Sequence, residues 1–444
     1  MMGPLQLAGA SGSNFYVSPT GTNPRCVASF PCSFQYALAN AGPSATIHLA
    51  GGVYDEQPTI STSGLTIEGR NNGGVVFEKT NAAQNSFKPD GVTPVTALAY
   101  VSPGTTGVTL KNLDIDASNA NLPAGENYSG VYADSASVTL DHVRVQNVVP
   151  GTGFTGVQTG VSIYARSDAA YPSTPANIAM KYVTVTNYNK GGVVCVDANT
   201  TCSIKNGTVT GHGATTVTAQ NGIEIGFGAG GSVTSTTVTG NNYTPEPQAA
   251  GVLIYDAAAG VVVTKSKLSN NDQNLVVYND GSPSYPDSDN PTITHNTAGP
   301  SAAGAWDGIY LESITGATVS NNTANNNAEF GISAYGTSNS TFSGNKASGN
   351  AQGGIYISGD GVANSTSENN TVTMSTVKTN GGIGIHADLG TANSTFSNNR
   401  ATGNTGYDMA DETSPPPSGT AGTANFWSGS HCTTHASSLP TGLC

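Results

Sequence analysis

Glu224, Asp256 and Glu312 stand in three related phrases, GIEIGF, GVLIYD and GIYLES. Carboxyl groups held at a fixed spacing can cleave a glycosidic bond. One protonates the leaving oxygen and the other acts as base or nucleophile, roughly 5–5.5 Å away for retention and roughly 6.5–9.5 Å for inversion. The acid of such a pair needs a raised pKa. Six tyrosines, Tyr164, Tyr255, Tyr278, Tyr310, Tyr335 and Tyr356, fall in the same kind of phrase, and Trp306 lies just before Glu312. A tyrosine ring is a flat apolar plate with one polar tip and is cheap to order, which suits a sugar ring edged by hydroxyls. Asp134, Asp197 and Asp307 would accept hydroxyl hydrogens, and Arg166 and His386 would add polar contacts. Glu224, Asp256 and Glu312 are the candidate catalytic residues, and the others are candidate substrate-binding residues. The plainer alternative is that tyrosines fill strand positions because strands favour them, with the acids solvated or holding calcium.

Such a site needs strands to position it, and the chain supplies them by repetition. A small residue followed by alternating aliphatic positions recurs at Gly130, Gly160, Gly192, Gly222, Gly251, Asn274, Gly308, Gly331, Gly354 and Gly382, at intervals of 30, 32, 30, 29, 23, 34, 23, 23 and 28 residues. Periods of this size mark a solenoid, in which each unit buries its apolar face on the next. Alternation with period two makes the unit a strand. With the small residue as position zero, positions one and three point inward and positions two and four outward. Coils stacked about 4.8 Å apart would line the outward residues into columns. Asp197, Asp256, Asp280 and Asp388 come just beyond. Glu224 and Asp256 fall on adjacent coils, and Asp256 and Glu312 two coils apart. The long insertion from Gly281 to Gly304, and a shorter one beginning at Tyr171, would wall the column.

Composition narrows the partners. The chain of 444 residues carries 15 basic and 28 acidic residues, a formal net charge of −13. This excludes an extended basic footprint for nucleic acid and disfavours a strongly anionic polysaccharide. No apolar run is long enough to span a membrane. Six cysteines sit as three near pairs, Cys26 with Cys32, Cys195 with Cys202 and Cys432 with Cys444. Without histidines or acids at zinc-site spacing, they read as local disulfides of a secreted protein. Buried free thiols are the alternative.

The segment Cys32–Ala41 reads as a short helix with Ser33 as N-cap and with Phe34, Ala37, Leu38 and Ala41 on one face. It would close the N-terminal end of the solenoid. Asn recurs after the second strand of a coil (Asn270, Asn271, Asn321, Asn322, Asn345, Asn369, Asn370, Asn398 and Asn399). Asn tolerates left-handed turns, and stacked turns would set these amides in a ladder. One β-helix domain is expected over 15–410, followed by a disulfide-stapled tail over 411–444 packed on it.

With its opening NFYVSPTGTNPRC…PCSFQYALANAGPSATIHLAGGVY and its coils, the chain resembles the right-handed parallel β-helix proteins of the pectate-lyase-like superfamily. The resemblance covers roughly residues 15–410. It implies an all-β fold, a right-handed parallel β-helix with a short N-terminal capping helix, and extracellular carbohydrate chemistry in a groove on one face. The alginate-epimerase branch of these proteins carries Tyr-Gly followed by Asp-Pro-His. Here Tyr335-Gly336 has no such sequel. The expected function is therefore cleavage of a glycosidic bond in a largely neutral polysaccharide or oligosaccharide by paired carboxylates. A lyase acting on an acidic glycan, with Arg166, Lys190 or His386 beside the substrate carboxylate, and a non-catalytic glycan-binding β-helix remain open. No cofactor is expected, structural calcium aside. The protein would act as a monomer or a side-by-side homo-oligomer.

Overall fold

The structure is a computed structural model that describes residues 12–70, 74–88, 90–122, 127–167, 175–359, 366–413, 419–433 and 437–444. The chain divides into two compact units, Met1–Val209 and Thr210–Cys444. Both are stacks of parallel coils.

In the N-terminal unit the expected short helix forms as Phe34–Asn40, after the first strand Asn14–Val17. The Ser33 hydroxyl accepts from the Tyr36 N–H, which satisfies one of the unpaired amides of the first turn. Phe34 and Ala37 are buried, and Phe34 packs edge-on against Phe77 and Tyr54. One parallel ladder of the unit runs Asn14–Val17, Thr46–Leu49, Thr66–Gly69, Val108–Asp116, Ser137–Val148 and Ala176–Lys181. A second runs Pro94–Val101, Asn127–Asp134, Val161–Arg166 and Gly191–Val196. Within 71–100, where the sequence loses its regularity, the short strand Ser86–Phe87 turns back antiparallel on Pro94–Val101.

In the C-terminal unit the second kind of ladder runs Asn221–Gly226, Ala250–Tyr255, Gln273–Tyr278, Ile309–Glu312, Phe330–Tyr335, Gly353–Ser358, Ile383–Ala387 and Met409–Asp411. Its inward positions, Val252, Ile254, Leu275, Val277, Ile309, Leu311, Ile332, Ala334, Ile355, Ile357 and Ile385, are all fully buried. This is the alternation the sequence predicts, and it fixes which face the other positions take. Two strands of the tail extend the ladders. Phe426–Ser428 pairs with Thr395–Ser397, which lays Trp427 flat on Phe396 with centroids 4.2 Å apart, and Ser438–Leu439 pairs with Met409–Asp411.

The turns of this unit hold the amide ladders. Asn270, Asn321, Asn369 and Asn398 take positive φ at the bends, the backbone region that Asn tolerates best after Gly. Their neighbours point into the coil. Asn296 donates to Asn322 Oδ1 at 3.1 Å, Asn322 donates to Asn345 Oδ1 at 3.2 Å, and a second ladder runs Asn327, Asn350, Asn380, Asn404. Except for Asn404, which donates to the Asp408 carboxylate, each of these amides also caps a buried carbonyl, as Asn345 does at Val319. Backbone groups at the bends, which no strand partner can reach, are thereby satisfied.

The cysteines form the three bonds read from their proximity: Cys26–Cys32, Cys195–Cys202 and Cys432–Cys444. No cysteine is free.

Candidate functional site

The register differs from the sequence reading in two phrases. Tyr164 pairs with Tyr132, and His386 pairs with Tyr356. Both Tyr164 and His386 therefore occupy position two rather than four, and these coils open at Ser162 and Gly384. The shift is by two residues, which keeps every side chain on its expected face.

In the N-terminal unit the outward column exists but is largely covered. Tyr100, Tyr132 and Tyr164 stack with centroids 5.5 and 5.4 Å apart. Tyr132 is fully buried, and its hydroxyl donates to the Phe87 carbonyl, so the antiparallel Ser86–Phe87 segment is the cover. Arg166 is committed internally. Its guanidinium donates to Asp197 Oδ2 at 2.8 Å and to the Tyr164 hydroxyl at 3.0 Å. Asp134 is 3% exposed. The assignment of Asp134, Arg166 and Asp197 to an open sugar-binding face is corrected accordingly: Asp134 is sealed, and the other two neutralise one another. A surface cleft of about 530 Å³ in this unit is lined by turn residues including Asn119, Asn121, Asn147 and Asn187, and no predicted site residue borders it. The insertion beginning at Tyr171 falls largely outside the described residues.

In the C-terminal unit the column is open. Glu224, Tyr255, Tyr278, Tyr310, Glu312, Tyr335, Tyr356 and His386 are all half-buried on one ladder. Tyr255 pairs with Tyr278, Tyr278 with Glu312, and Glu312 with Tyr335. Tyr255 and Tyr278 stack at 5.5 Å, and Tyr335 lies 5.4 Å from both Tyr310 and Tyr356. The Tyr310 hydroxyl donates to the Glu312 carboxylate. Trp306 is exposed (37%), its backbone N–H donating to the Asp272 carbonyl.

The carboxylates gather around Tyr278. Burial raises its hydroxyl above the ordinary tyrosine value, and Glu312, Asp280 and Asp256 raise it further. Asp256 sits at positive φ in the bend after Tyr255 and is 2% exposed. Its Oδ1 accepts the Asp280 N–H at 3.0 Å. Burial pushes its pKa up, the Asp280 N–H pulls it down, and the carboxylates of Asp280 and Asp287 push it up again. Exposed Asp280 is held low, first by the Tyr255 hydroxyl at 2.6 Å and then by the Ser282 N–H. The two acids are thus pushed in opposite directions, Asp256 up and Asp280 down, the kind of separation that acid–base chemistry uses.

Glu224 is not brought into this group. Its carboxylate accepts from Asn221 at 2.8 Å, and it lies three ladder steps from Glu312, about 14 Å at coil spacing. Asp307 does not reach the open face either. It is 3% exposed, with Oδ1 accepting the Phe330 N–H at 2.8 Å and Oδ2 the Ser333 hydroxyl at 2.5 Å. Burial outweighs both bonds and lifts its pKa to about 7.

Asp280 was visible in the sequence as an acid just past an outward tyrosine, but only the bend at Asp256 shows that the two meet. Phe227 and Tyr285 carried no signal. Phe227 leaves its strand at positive φ and packs edge-on against Tyr255 and Tyr285, with centroids 5.2 and 5.1 Å away. Tyr285 belongs to the insertion after Gly281, which is tied down where Ser288 accepts the Ala257 N–H.

Residues 301–438 match the family model described as right handed beta helix region. No curated protein sequence matches the chain. Among solved structures, the A-module of mannuronan C-5 epimerase AlgE6 of Azotobacter vinelandii aligns over 96% of this chain and 98% of its own, at 14% identity and a TM-score of 0.50. The A-module of AlgE4 from the same organism aligns over 88% and 91%, also at 14% identity and 0.50. With the ladders above, these likenesses define the fold as a right-handed parallel β-helix.

Proposed function

We propose that this protein is a secreted, carbohydrate-active β-helix that cleaves a glycosidic bond in a largely neutral glycan bound along the tyrosine face of the C-terminal unit. The observation that carries the reading is geometric: Glu312 is the ladder partner of Tyr278, and Asp280 is tied to Asp256 Oδ1 at 3.0 Å and to the Tyr255 hydroxyl at 2.6 Å, an arrangement that pushes Asp256 up and holds Asp280 down. The one proton held on the Asp256–Asp280 pair passes from Asp256 to Asp280 and on to the glycosidic oxygen, leaving both carboxylates ionised, while Glu312 across Tyr278 takes a proton from the attacking water or attacks the sugar itself. Tyr255, Tyr278, Tyr310, Tyr335 and Tyr356 carry the sugar rings. The carboxylates act without a cofactor. Three disulfides and no free thiol support an exported protein.

A lyase needs positive charge beside the substrate carboxylate, whereas the charges acting on Tyr278 are all carboxylates. The neighbours' epimerase activity is theirs, and the absence of Asp-Pro-His after Tyr335-Gly336 argues against it here. The test is a screen of neutral and acidic glycans, scored separately for new reducing ends and for unsaturated product. Reducing ends from a neutral glycan, lost in Glu312→Gln and Asp280→Asn, are expected. Unsaturated product, or binding with no cleavage, would overturn the reading.

A further inference from the structure

We propose that His386, Asp388 and Glu412 form a binding site for a divalent transition-metal ion of the zinc class, independent of the carboxylates around Tyr278. The three side chains each offer one ligand atom, and these atoms all lie within 4.8 Å of one another. His386 Nε2 is 3.3 Å from Glu412 Oε2 and 3.9 Å from Asp388 Oδ1. Ligands bound tetrahedrally to zinc at roughly 2.0–2.1 Å stand roughly 3.3–3.4 Å apart, close to the first separation and within a small side-chain adjustment of the second.

The hydrogen bonding of His386 sets it apart. His48 and His142 each meet one carboxylate through Nδ1, at 2.8 Å from Glu68 and 2.7 Å from Asp141. His386 Nε2 is shut off from water and has no hydrogen-bond partner, although two carboxylates flank it. A buried imidazole nitrogen left unpaired is costly. An ion seated between the nitrogen and the two carboxylates would satisfy all three. Imidazole as a ligand selects zinc, copper or nickel, whereas calcium takes oxygen ligands throughout.

The backbone pins the ligands to their places. The Asp388 N–H donates to the Ile357 carbonyl at 2.8 Å, and the Glu412 N–H to the Ala387 carbonyl at 2.9 Å. The Tyr356 hydroxyl donates to Asp388 Oδ2, and Oδ1 accepts the Leu389 N–H at 2.7 Å with one lone pair, which leaves its second for the ion. Its ring meets the His386 ring edge-on at 5.2 Å. Such outer partners fix ligand orientation and are worth about 10–100-fold in metal affinity. Glu412 is half-exposed, at 44% of its side chain, so the ion would keep an open side towards solvent. Asp411 next to it is excluded as a ligand, because it is occupied by the Trp427 indole N–H at 2.7 Å and by Asn425.

The experiment is calorimetric titration of zinc chloride into the chelator-treated full chain, repeated with calcium chloride. One zinc site is expected. It should be lost in His386→Ala and in the exposed Glu412→Gln, weakened about tenfold in Tyr356→Phe, and unchanged in His48→Ala and His142→Ala. Absence of zinc binding overturns the proposal. So does a zinc site that survives Glu412→Gln with full affinity, since that variant alters a solvent-reaching side chain and leaves the coil intact. Calcium binding in place of zinc overturns the assignment of metal class. An imidazolium held by two carboxylates, the competing explanation, predicts no zinc site at all.

Discussion

The Ser333 hydroxyl donates to Asp307 Oδ2 at 2.5 Å, joining one coil of the C-terminal unit to the next beneath the tyrosine face. Burial is the main cause of the raised pKa of Asp307, and the Glu329 carboxylate adds a smaller push in the same direction. The resulting pKa of about 7 lies well above the ordinary 3.8.

That elevation makes stability depend on pH. Asp307 binds its proton more tightly in the folded state than in the unfolded one. Its contribution is fully present below the unfolded value and is lost as pH rises through the folded value. Between about pH 4 and pH 7 the wild-type protein should lose stability that Asp307→Asn keeps, because the amide can still accept from Phe330 and donate to Ser333. The difference is on the order of 4 kcal/mol at most. Thermal melts of both proteins across this range check it. Parallel curves would show that Asp307 is ionised throughout.

The carboxylates around Tyr278 should separate kinetically. On the glycan found by screening, Glu312→Gln should lower kcat by roughly 10²–10⁴-fold, with little change in binding. Asp256→Asn should shift the acidic limb of the pH–rate profile, because Asp256 sets how Asp280 is protonated. Glu224→Gln should leave kcat near wild type. A Glu224→Gln variant as inactive as Glu312→Gln would mean that the wrong carboxylates were grouped.

Much of this was legible in the chain. Period-two alternation and the repeat interval told which side chains of Ala250–Tyr255 or Phe330–Tyr335 face out. They survive a two-residue slip such as that at His386, since the face does not change. The Asn runs predicted their ladder because a left-handed bend and a stacked amide leave a local signature. What stayed hidden depends on contacts distant in sequence. Nothing local distinguishes buried Tyr132 from half-exposed Tyr310; the difference is the Ser86–Phe87 strand folding over the former. Likewise Asp256 and Asp280 are 24 residues apart, and only the bends bring them together.

The amide ladder offers a test of stability away from the site. Asn345 Oδ1 accepts from the Asn322 N–H at 3.0 Å and from its side chain at 3.2 Å, and its own amide donates to the Val319 carbonyl at 2.8 Å. Asn345→Ala leaves these buried groups unpaired, at about 1–3 kcal/mol for each that water cannot reach. Denaturant unfolding should show a loss of several kcal/mol. Asn321→Gly, at the adjacent left-handed bend, should be nearly neutral. A small loss at Asn345 would mean that water replaces the missing amide.

Burial separates two tyrosines that the sequence treats alike. Tyr132 is fully buried, packed between Tyr100 and Tyr164. Truncation to alanine should cost roughly 3–5 kcal/mol, as for other large core side chains, and leave glycan affinity unchanged once the protein is folded. Tyr335 is half-exposed and touches Tyr310 and Tyr356 at its flanks. Tyr335→Ala should cost less stability yet weaken glycan binding about tenfold, the loss of one stacked ring. Calorimetric titration of the glycan into both variants, alongside their melting curves, reads the two effects apart. If Tyr335→Ala binds as tightly as wild type, the tyrosines of the open face are strand residues and the glycan lies elsewhere.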